Sequence, residues 1–392
     1  MTEGERSCSP AAKRGRASPA RGNPRGTQRG FTLIELMVAL VISSLLVGMI
    51  FAIFIRMSTA YRGQQQVAEV QSKLAAARAK IELDAKQAGF HMADGFYLAS
   101  LGPGLRRSPL RVVNNADGPD ELELYYADAS VQVATRAGVG SSCTRLSCDR
   151  LDATAGFRVR DVVVMSTAKW VDLPDFINDA RIAQFEACVL QIQSLGPTEL
   201  VFSTAAPWGT SDNSFCPYVP VPGTTMFYKL AARRWRIDPA RAAAGVLQLS
   251  GVGVLGGEFD DWQDQAYGFT DLQVATRFFE PGDATDTPDP GIDSLRDWYS
   301  GEEQESATAA AAGFPRVPIQ ISISLVARTE RDVEGIASSS TPDLTVAGNE
   351  GNNTIGDRAA IPLPSALDRL SGNRIFRHTT FQVDLRNLGV GR

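Results

Sequence analysis

Glu35 has the most unusual position in the sequence, because its carboxylate lies in the otherwise uncharged apolar run that follows Gly30. A carboxylate near the centre of a membrane span costs about 2.5–3.5 kcal/mol on insertion scales, and less near a helix end. A plain membrane anchor gains nothing from such a residue. Glu35 therefore needs either a compensating cation or a position from which its side chain reaches the lipid headgroups.

Cysteine is the second residue type whose chemistry could matter to this chain. Cys143, Cys148, Cys188 and Cys216 follow the apolar run, whereas Cys8 precedes it. An even number of cysteines in an exported domain predicts disulfides, and four cysteines permit three pairings. We favour Cys143–Cys148, which closes a small loop, together with Cys188–Cys216. Zinc is the alternative, but "CTRLSC" has neither a second paired motif nor a nearby His.

Other groupings of polar residues give no support for catalysis. The segment Pro281–Asp293 carries four carboxylates, but Pro288 and Pro290 break the pattern of an EF-hand, so a solvated acidic loop is favoured over a calcium site. The two histidines, His91 and His378, lack a Ser or Cys nucleophile context. We therefore expect no catalytic residue, no metal ligand, no cofactor and no enzymatic activity.

Charge is distributed unevenly along the 392 residues. Residues 1–30 contain seven basic and two acidic side chains, which leaves 32 basic and 42 acidic residues in the remainder. The first segment has almost no large apolar side chain and predicts a disordered basic leader. The acidic remainder argues against nonspecific binding to nucleic acid.

The apolar run is long enough to cross a membrane. Leu36–Ile55 contains twenty uncharged residues, about 30 Å as a helix. Basic residues concentrated before it place the leader in the cytoplasm and the rest of the chain outside. A cleaved signal peptide ending near Ser58–Ala60 and an ordinary signal anchor are the alternatives, but neither explains Glu35.

Beyond the apolar run, an amphipathic pattern predicts that the helix continues. Apolar residues recur at spacings of three and four, there is no Pro between Phe31 and Ala88, and Gly89 offers a stop. We predict one helix over 31–89, with 31–55 spanning the membrane and 56–89 packing on a folded domain; a coiled coil is the alternative. Nine β-rich segments within 90–392 predict a largely antiparallel sheet domain, hence an α+β fold.

The stretch "RGFTLIELMVALVISSLL" resembles the N-terminus of type IV prepilins. The resemblance implies cleavage after Gly30 by a dedicated prepilin peptidase, N-methylation of the new terminal residue Phe31, and a role in subunit assembly for Glu35. Cleavage leaves an ammonium group on Phe31, and the Glu35 carboxylate of one subunit can pair with the amine of an axially shifted neighbour. A carboxylate in the first turn also suits the helix dipole.

Segments such as "ELDAKQAGF", "TDLQVATRFF" and "RHTTFQVDLRN" further resemble the large PilW-type minor pilins, in order along the chain. This resemblance implies a pilin-like fold and a non-enzymatic role in the initiating or tip complex of a type IV pilus. The implied partners are the peptidase, other minor and major pilins, the inner-membrane assembly platform and membrane lipid. The 30-residue leader is longer than is usual in that family, and the helix lacks the mid-membrane Pro common in major pilins.

The resemblance implies a single-pass inner-membrane protein that is later incorporated into the pilus at the cell surface. Two alternatives are open. A type II secretion pseudopilin similar to the J component shares the N-terminal signal and the long helix. A membrane-anchored adhesin or enzyme that uses a prepilin signal for export belongs to another class. Pilus or secretion genes beside this gene would separate the minor pilin from the pseudopilin. Binding to sugars or surfaces would favour the adhesin or enzyme.

Overall fold

The structure is a computed structural model that describes twelve stretches of the chain. These are residues 31–92, 95–115, 118–136, 143–149, 151–152, 154, 156–172, 181–251, 261–279, 317–330, 374–385 and 387. The expected leader 1–30, with Gly30, and the acidic loop 281–293 lie outside the described residues.

A single helix, α1, runs through Leu33–Gln87. It has no internal Pro, and its two halves differ in burial. Every residue from Phe31 to Arg56 is exposed, whereas buried apolar side chains recur every three or four residues from Val70 to Ala85. The helix ends before Gly89, which adopts φ 79° and donates its N–H to the Tyr125 carbonyl at 2.9 Å. A left-handed residue is favourable there because glycine has no Cβ to clash.

Fourteen strands follow the helix among the described residues. In chain order they are β1 (Phe96–Tyr97), β2 (Arg106–Arg107), β3 (Leu110–Val113), β4 (Glu121–Ala134), β5 (Ser147–Cys148), β6 (Val162–Asp172), β7 (Arg181–Leu195), β8 (Leu200–Phe202), β9 (Thr225–Ile237), β10 (Val246–Gly251), β11 (Asp261–Tyr267), β12 (Phe269–Phe279), β13 (Val317–Arg328) and β14 (Phe376–Asp384).

The strands form two sheets. The larger has the order β11-β10-β9-β6-β7-β1-β2, with β3 and β4 attached through β9 and with β5 and β8 attached through β7. The smaller has the order β12-β13-β14. All pairings between these strands are antiparallel except that of β1 with β7. The predicted α+β class, a long N-terminal helix packed on a largely antiparallel sheet domain, is confirmed.

The two sheets are joined by the carboxylate of Asp120, which lies at the β3–β4 hairpin and is 2% exposed. Its two oxygens accept hydrogen bonds from Asn115 N at 3.2 Å and Val274 N at 2.9 Å, and its own N–H donates to the Leu272 carbonyl at 2.8 Å. Asp120 thus satisfies backbone groups on the outer edge of β12 that would otherwise be buried without partners.

The main core lies between the second half of α1 and both sheets. Val70, Leu74 and Ile81 pack in one cluster with Trp235 of the larger sheet and Leu325 of the smaller. Burying such an aliphatic side chain contributes about 1.5–3 kcal/mol. The helix therefore stays on the sheets because of a continuous apolar stripe, as its spacing predicted.

Candidate functional site

The N-terminus of α1 is closed by a reciprocal pair of side-chain hydrogen bonds between Thr32 and Glu35. The Glu35 Oε2 atom accepts from the Thr32 backbone N–H and from the Thr32 hydroxyl, both at 2.9 Å. The Glu35 backbone N–H in turn lies 3.4 Å from Thr32 Oγ1. This arrangement is a capping box, in which residues at the cap and three positions later satisfy each other's backbone donors.

The capping box gives Glu35 a first role that the sequence reasoning missed, although the signal was readable. Thr-x-x-Glu directly before an apolar run is the sequence signature of this motif. Both hydrogen bonds to the carboxylate use Oε2. Among the described residues Oε1 accepts none, so it is available to a cation supplied from outside the chain.

The surroundings of Glu35 are apolar and open. Phe31 is 89% exposed, and the large apolar residues from Leu33 to Ile55 are all at least half exposed. By length and composition, α1 contains one segment capable of crossing a membrane. An exposed apolar surface of this size marks an interaction site for lipid or for other proteins. Phe31 and Glu35 thus lie four residues apart at the start of an apolar helix, while Gly30 lies outside the described residues.

The second half of α1 is held to the sheet domain by polar contacts as well as by its apolar stripe. Lys73 forms ion pairs with Glu69 and with Glu330, which follows β13. The Arg78 guanidinium lies 5.3 Å from the centroid of the Phe381 ring. Asn387 Nδ2 donates to the Lys86 carbonyl at 2.8 Å, near the helix end.

A partly buried carboxylate, Asp84, lies between the helix and the larger sheet. Asp84 Oδ2 accepts from Trp235 Nε1 at 3.0 Å, and Asp84 Oδ1 lies 3.5 Å from the Tyr126 hydroxyl. Burial raises the pKa of the Asp84 carboxyl above its ordinary value, and the Trp235, Arg233 and Tyr126 contacts oppose that rise only in part. Burial and the nearby Asp84 also raise the pKa of Tyr126 to about 12. These hydrogen bonds hold the helix on the larger sheet, and substitution of Asp84 tests their contribution to stability.

We expect Asp84 to make the stability of the folded domain depend on pH. The folded pKa is higher than the unfolded value, so the stabilisation is fully present below the unfolded pKa and is lost as pH rises through the folded pKa. The Asp84→Asn variant lacks this titration. Relative to it, the wild type should lose stability as pH rises above about 4, the ordinary Asp value. Thermal unfolding across that range measures the difference, and a pH-independent difference would contradict the assignment.

The four cysteines that follow the helix are joined as two disulfides. Cys143 is bonded to Cys148, and Cys188 on β7 is bonded to Cys216 in the loop before β9. Cys188 and Cys216 are fully buried in one cluster with Phe202 and Phe227. The Tyr218 hydroxyl lies 2.7 Å from the carbonyls of both Met165 and Glu186, which fixes the loop across β6 and β7. This cluster stabilises the sheet away from the helix.

The two histidines lie in different parts of the sheet domain. His91 follows the helix with φ 57°, and its ring stacks on Tyr228 and lies within 2.9 Å of the Tyr228 hydroxyl. Burial lowers the pKa of the His91 imidazole. His378 lies on β14, opposite Val326 of β13. Within the described stretches, no group of three His, Cys, Asp or Glu side chains is arranged to hold a metal ion.

Comparison with known proteins adds to this geometry at the N-terminus. Residues 25–51 match the family described as the prokaryotic N-terminal methylation motif. No curated protein matches the chain. Among solved structures, a type IV-like pilin from Thermus thermophilus is similar at 9% sequence identity, with a TM-score of 0.35, over 83% of this chain and all of that one. The capped start of α1 thus lies inside the matched N-terminal methylation motif.

Proposed function

We propose that this chain is a minor subunit of a type IV pilus, acting in the initiating or tip complex. The observation that carries the proposal is the Glu35 carboxylate, which is held at the start of an exposed apolar helix inside the matched methylation motif. One of its oxygens is occupied by the helix cap, and the other is free of partners within the described part of the chain. A membrane anchor alone does not require that arrangement.

In this proposal, hydrolysis of the Gly30–Phe31 peptide bond by the prepilin peptidase frees a cationic amine on Phe31, which is then methylated. In a packed bundle, neighbouring subunits can be shifted relative to each other along the helix axis. The Glu35 carboxylate of one subunit then meets the Phe31 amine of its neighbour. Two charges that are each costly in an apolar surrounding compensate each other, and the pair sets the axial register of the subunits.

The sheet domain supports a minor rather than a bulk role. About 300 residues follow the helix, and a body of this size is difficult to stack many times along a fibre. The proposed location is the inner membrane before assembly, with the N-terminus cytoplasmic, and the pilus afterwards. The proposed partners are the peptidase, other minor and major pilins, the assembly platform and membrane lipid. We propose no enzymatic activity for the chain.

Mass spectrometry of the mature N-terminus tests the processing step. The expected first residue is Phe31 carrying one methyl group on its amine. A Gly30→Leu variant should remain uncleaved, because the peptidase is expected to require the small residue before the bond. A mature chain beginning at Tyr61 would show processing of an ordinary signal peptide, and an unprocessed chain would show a plain anchor. Either result would contradict the proposed function.

A further inference from the structure

The turn before β10 and the end of β13 meet at the boundary between the two sheets. The Phe269 N–H donates to the Gly245 carbonyl at 2.9 Å, and the Arg328 N–H donates to the Gly268 carbonyl at 2.8 Å. Both glycines have positive φ, 65° and 91°. A Cβ at Gly245 would lie 2.2 Å from the Phe269 carbonyl oxygen, and one at Gly268 would lie 2.8 Å from the Arg328 carbonyl oxygen. The close approach of these three backbone segments therefore requires glycine at both positions.

The guanidinium of Arg328 is buried at this boundary. The residue is 2% exposed, and its Nη2 atom donates to the carbonyl of Ala243, in the exposed turn before β10. The Nη1 atom is also buried and has no hydrogen-bond partner within the described part of the chain. Burial, and after it the charge of Arg374, lower the pKa of Arg328 to about 10, so the group is still cationic at neutral pH.

A second arginine, Arg374, lies beside the first. Arg328 is opposite Phe376 in the β13–β14 ladder, and the Thr329 N–H extends the pairing by donating to the Ile375 carbonyl at 3.0 Å. Arg374 comes two residues before Phe376, which makes it a diagonal neighbour of Arg328 on the same face of the sheet. Arg374 is partly exposed. The two cations thus extend from the buried boundary towards the surface.

The acidic side chains described on the neighbouring elements have other partners. Asp238 and Asp264 bind Arg241, Glu330 binds Lys73, and Asp271 accepts from Gln273 Nε2. The charged group that shifts the pKa of Arg328 is instead a cation, Arg374. Neighbouring guanidinium groups repel each other, and a buried cation without a counter-ion is strongly destabilising. An anion between the two arginines would compensate both effects.

We propose that Arg328 and Arg374 bind one small oxyanion, such as phosphate or acetate, at the boundary between the two sheets. Guanidinium groups bind phosphate and carboxylate through charge-assisted hydrogen bonds. Arg328 Nη1 supplies a buried donor, and Arg374 supplies a second cation nearer to solvent. A small ion fits this site better than a side chain of another protein does, because Arg328 is almost wholly enclosed. The inference goes beyond the proposed function and does not depend on it.

Isothermal titration calorimetry of the purified full-length chain in detergent tests the inference. Inorganic phosphate and acetate are titrated separately, and sodium chloride at matched ionic strength provides the baseline. The variants are Arg374→Gln and Arg328→Gln. Arg377→Gln is the matched control, because Arg377 is an exposed arginine of β14 that is opposite Ala327 and so lies on the other face of the sheet.

We expect the wild type to bind one ion of phosphate or acetate per chain. Arg374→Gln should weaken that binding about tenfold or more, as expected for loss of one charge-assisted contact. Arg377→Gln should leave the affinity unchanged. Hydrogen–deuterium exchange should also become slower, on addition of the anion, in the peptide that contains Arg328, because its N–H is bonded to Gly268 beside the site.

Four results would overturn the inference. These are heats no larger than those of sodium chloride for both anions, an affinity that Arg374→Gln leaves unchanged, an equal loss in Arg377→Gln, and binding that leaves exchange of the Arg328 peptide unchanged. If Arg328→Gln does not fold, Arg374→Gln decides alone, since Arg374 is partly exposed. None of these results bears on Phe31 or Glu35, so the proposed function is tested separately.

Discussion

Replacing Glu35 with Gln is expected to preserve the start of α1 but to prevent incorporation of the chain into fibres. Gln can replace Glu in a capping box, because its amide carbonyl still accepts from the backbone N–H and the hydroxyl of Thr32. It has no charge to offer a neighbour's amine. Leaving a charge without its partner in an apolar surrounding costs about 3–5 kcal/mol. We therefore expect recovery in sheared fibres to fall by about a hundredfold or more.

The matched control is Thr32→Val, which removes the hydroxyl from the cap and keeps the carboxylate. Loss of a capping side chain costs about 0.5–2 kcal/mol, so this variant should still enter fibres. Membrane fractionation and immunoblotting of sheared fibres measure insertion and incorporation separately for both variants. Normal incorporation of Glu35→Gln would remove the ion pair from the account of Glu35. Equal loss in both variants would show that incorporation depends on the helix cap as much as on the Glu35 charge.

Much of the fold could be predicted because its signals are local. The apolar stripe at three- and four-residue spacing, the absence of Pro and the stop at Gly89 predicted a helix over 31–89, and α1 occupies Leu33–Gln87. All nine segments with β-branched or aromatic enrichment contain strands. One of the nine, "FRVRDVVVMST" at 157–167, is a strand only in its second part. The chain turns before it, since Arg160 adopts φ 74°, and β6 begins at Val162.

A strand without β-branched enrichment was not predicted from the sequence. Strand β11 reads "DWQDQAY", with no β-branched residue and with polar side chains on both faces. It is a strand because it pairs with β10 at the sheet edge, and its Asp264 binds Arg241 through two hydrogen bonds of 2.7 and 2.8 Å. Such long-range pairing overrides local propensity.

The candidate site likewise contains one feature that the sequence predicts and one that it does not. Thr32 and Glu35 are three residues apart, so the capping box was available from sequence spacing alone. Asp84 and Trp235 are 151 residues apart, and their hydrogen bond depends on how the helix lies on β9. That contact has no signal within any short segment of the chain.

Removing the Cys188–Cys216 disulfide is expected to destabilise the sheet domain more than removing Cys143–Cys148. The first pair closes a loop with a sequence separation of 28, and the second closes one of 5. Chain entropy alone then predicts losses of about 3.6 and about 2.1 kcal/mol, respectively. Cys188 and Cys216 are also fully buried beside Phe227. Their replacement by Ala leaves unfilled space in that cluster, which adds to the entropic loss.

Urea unfolding of the full-length chain in detergent, followed by tryptophan fluorescence, measures both double-Ala variants against the wild type. The Cys143→Ala/Cys148→Ala variant is the matched control, because its loop is short and only one of its two cysteines, Cys148, is fully buried. A reducing agent should lower the stability of the wild type and of each variant until all three converge within the effect of lost packing. Equal losses for the two variants, or a larger loss for the control, would show that neither loop length nor burial sets the contribution of these disulfides.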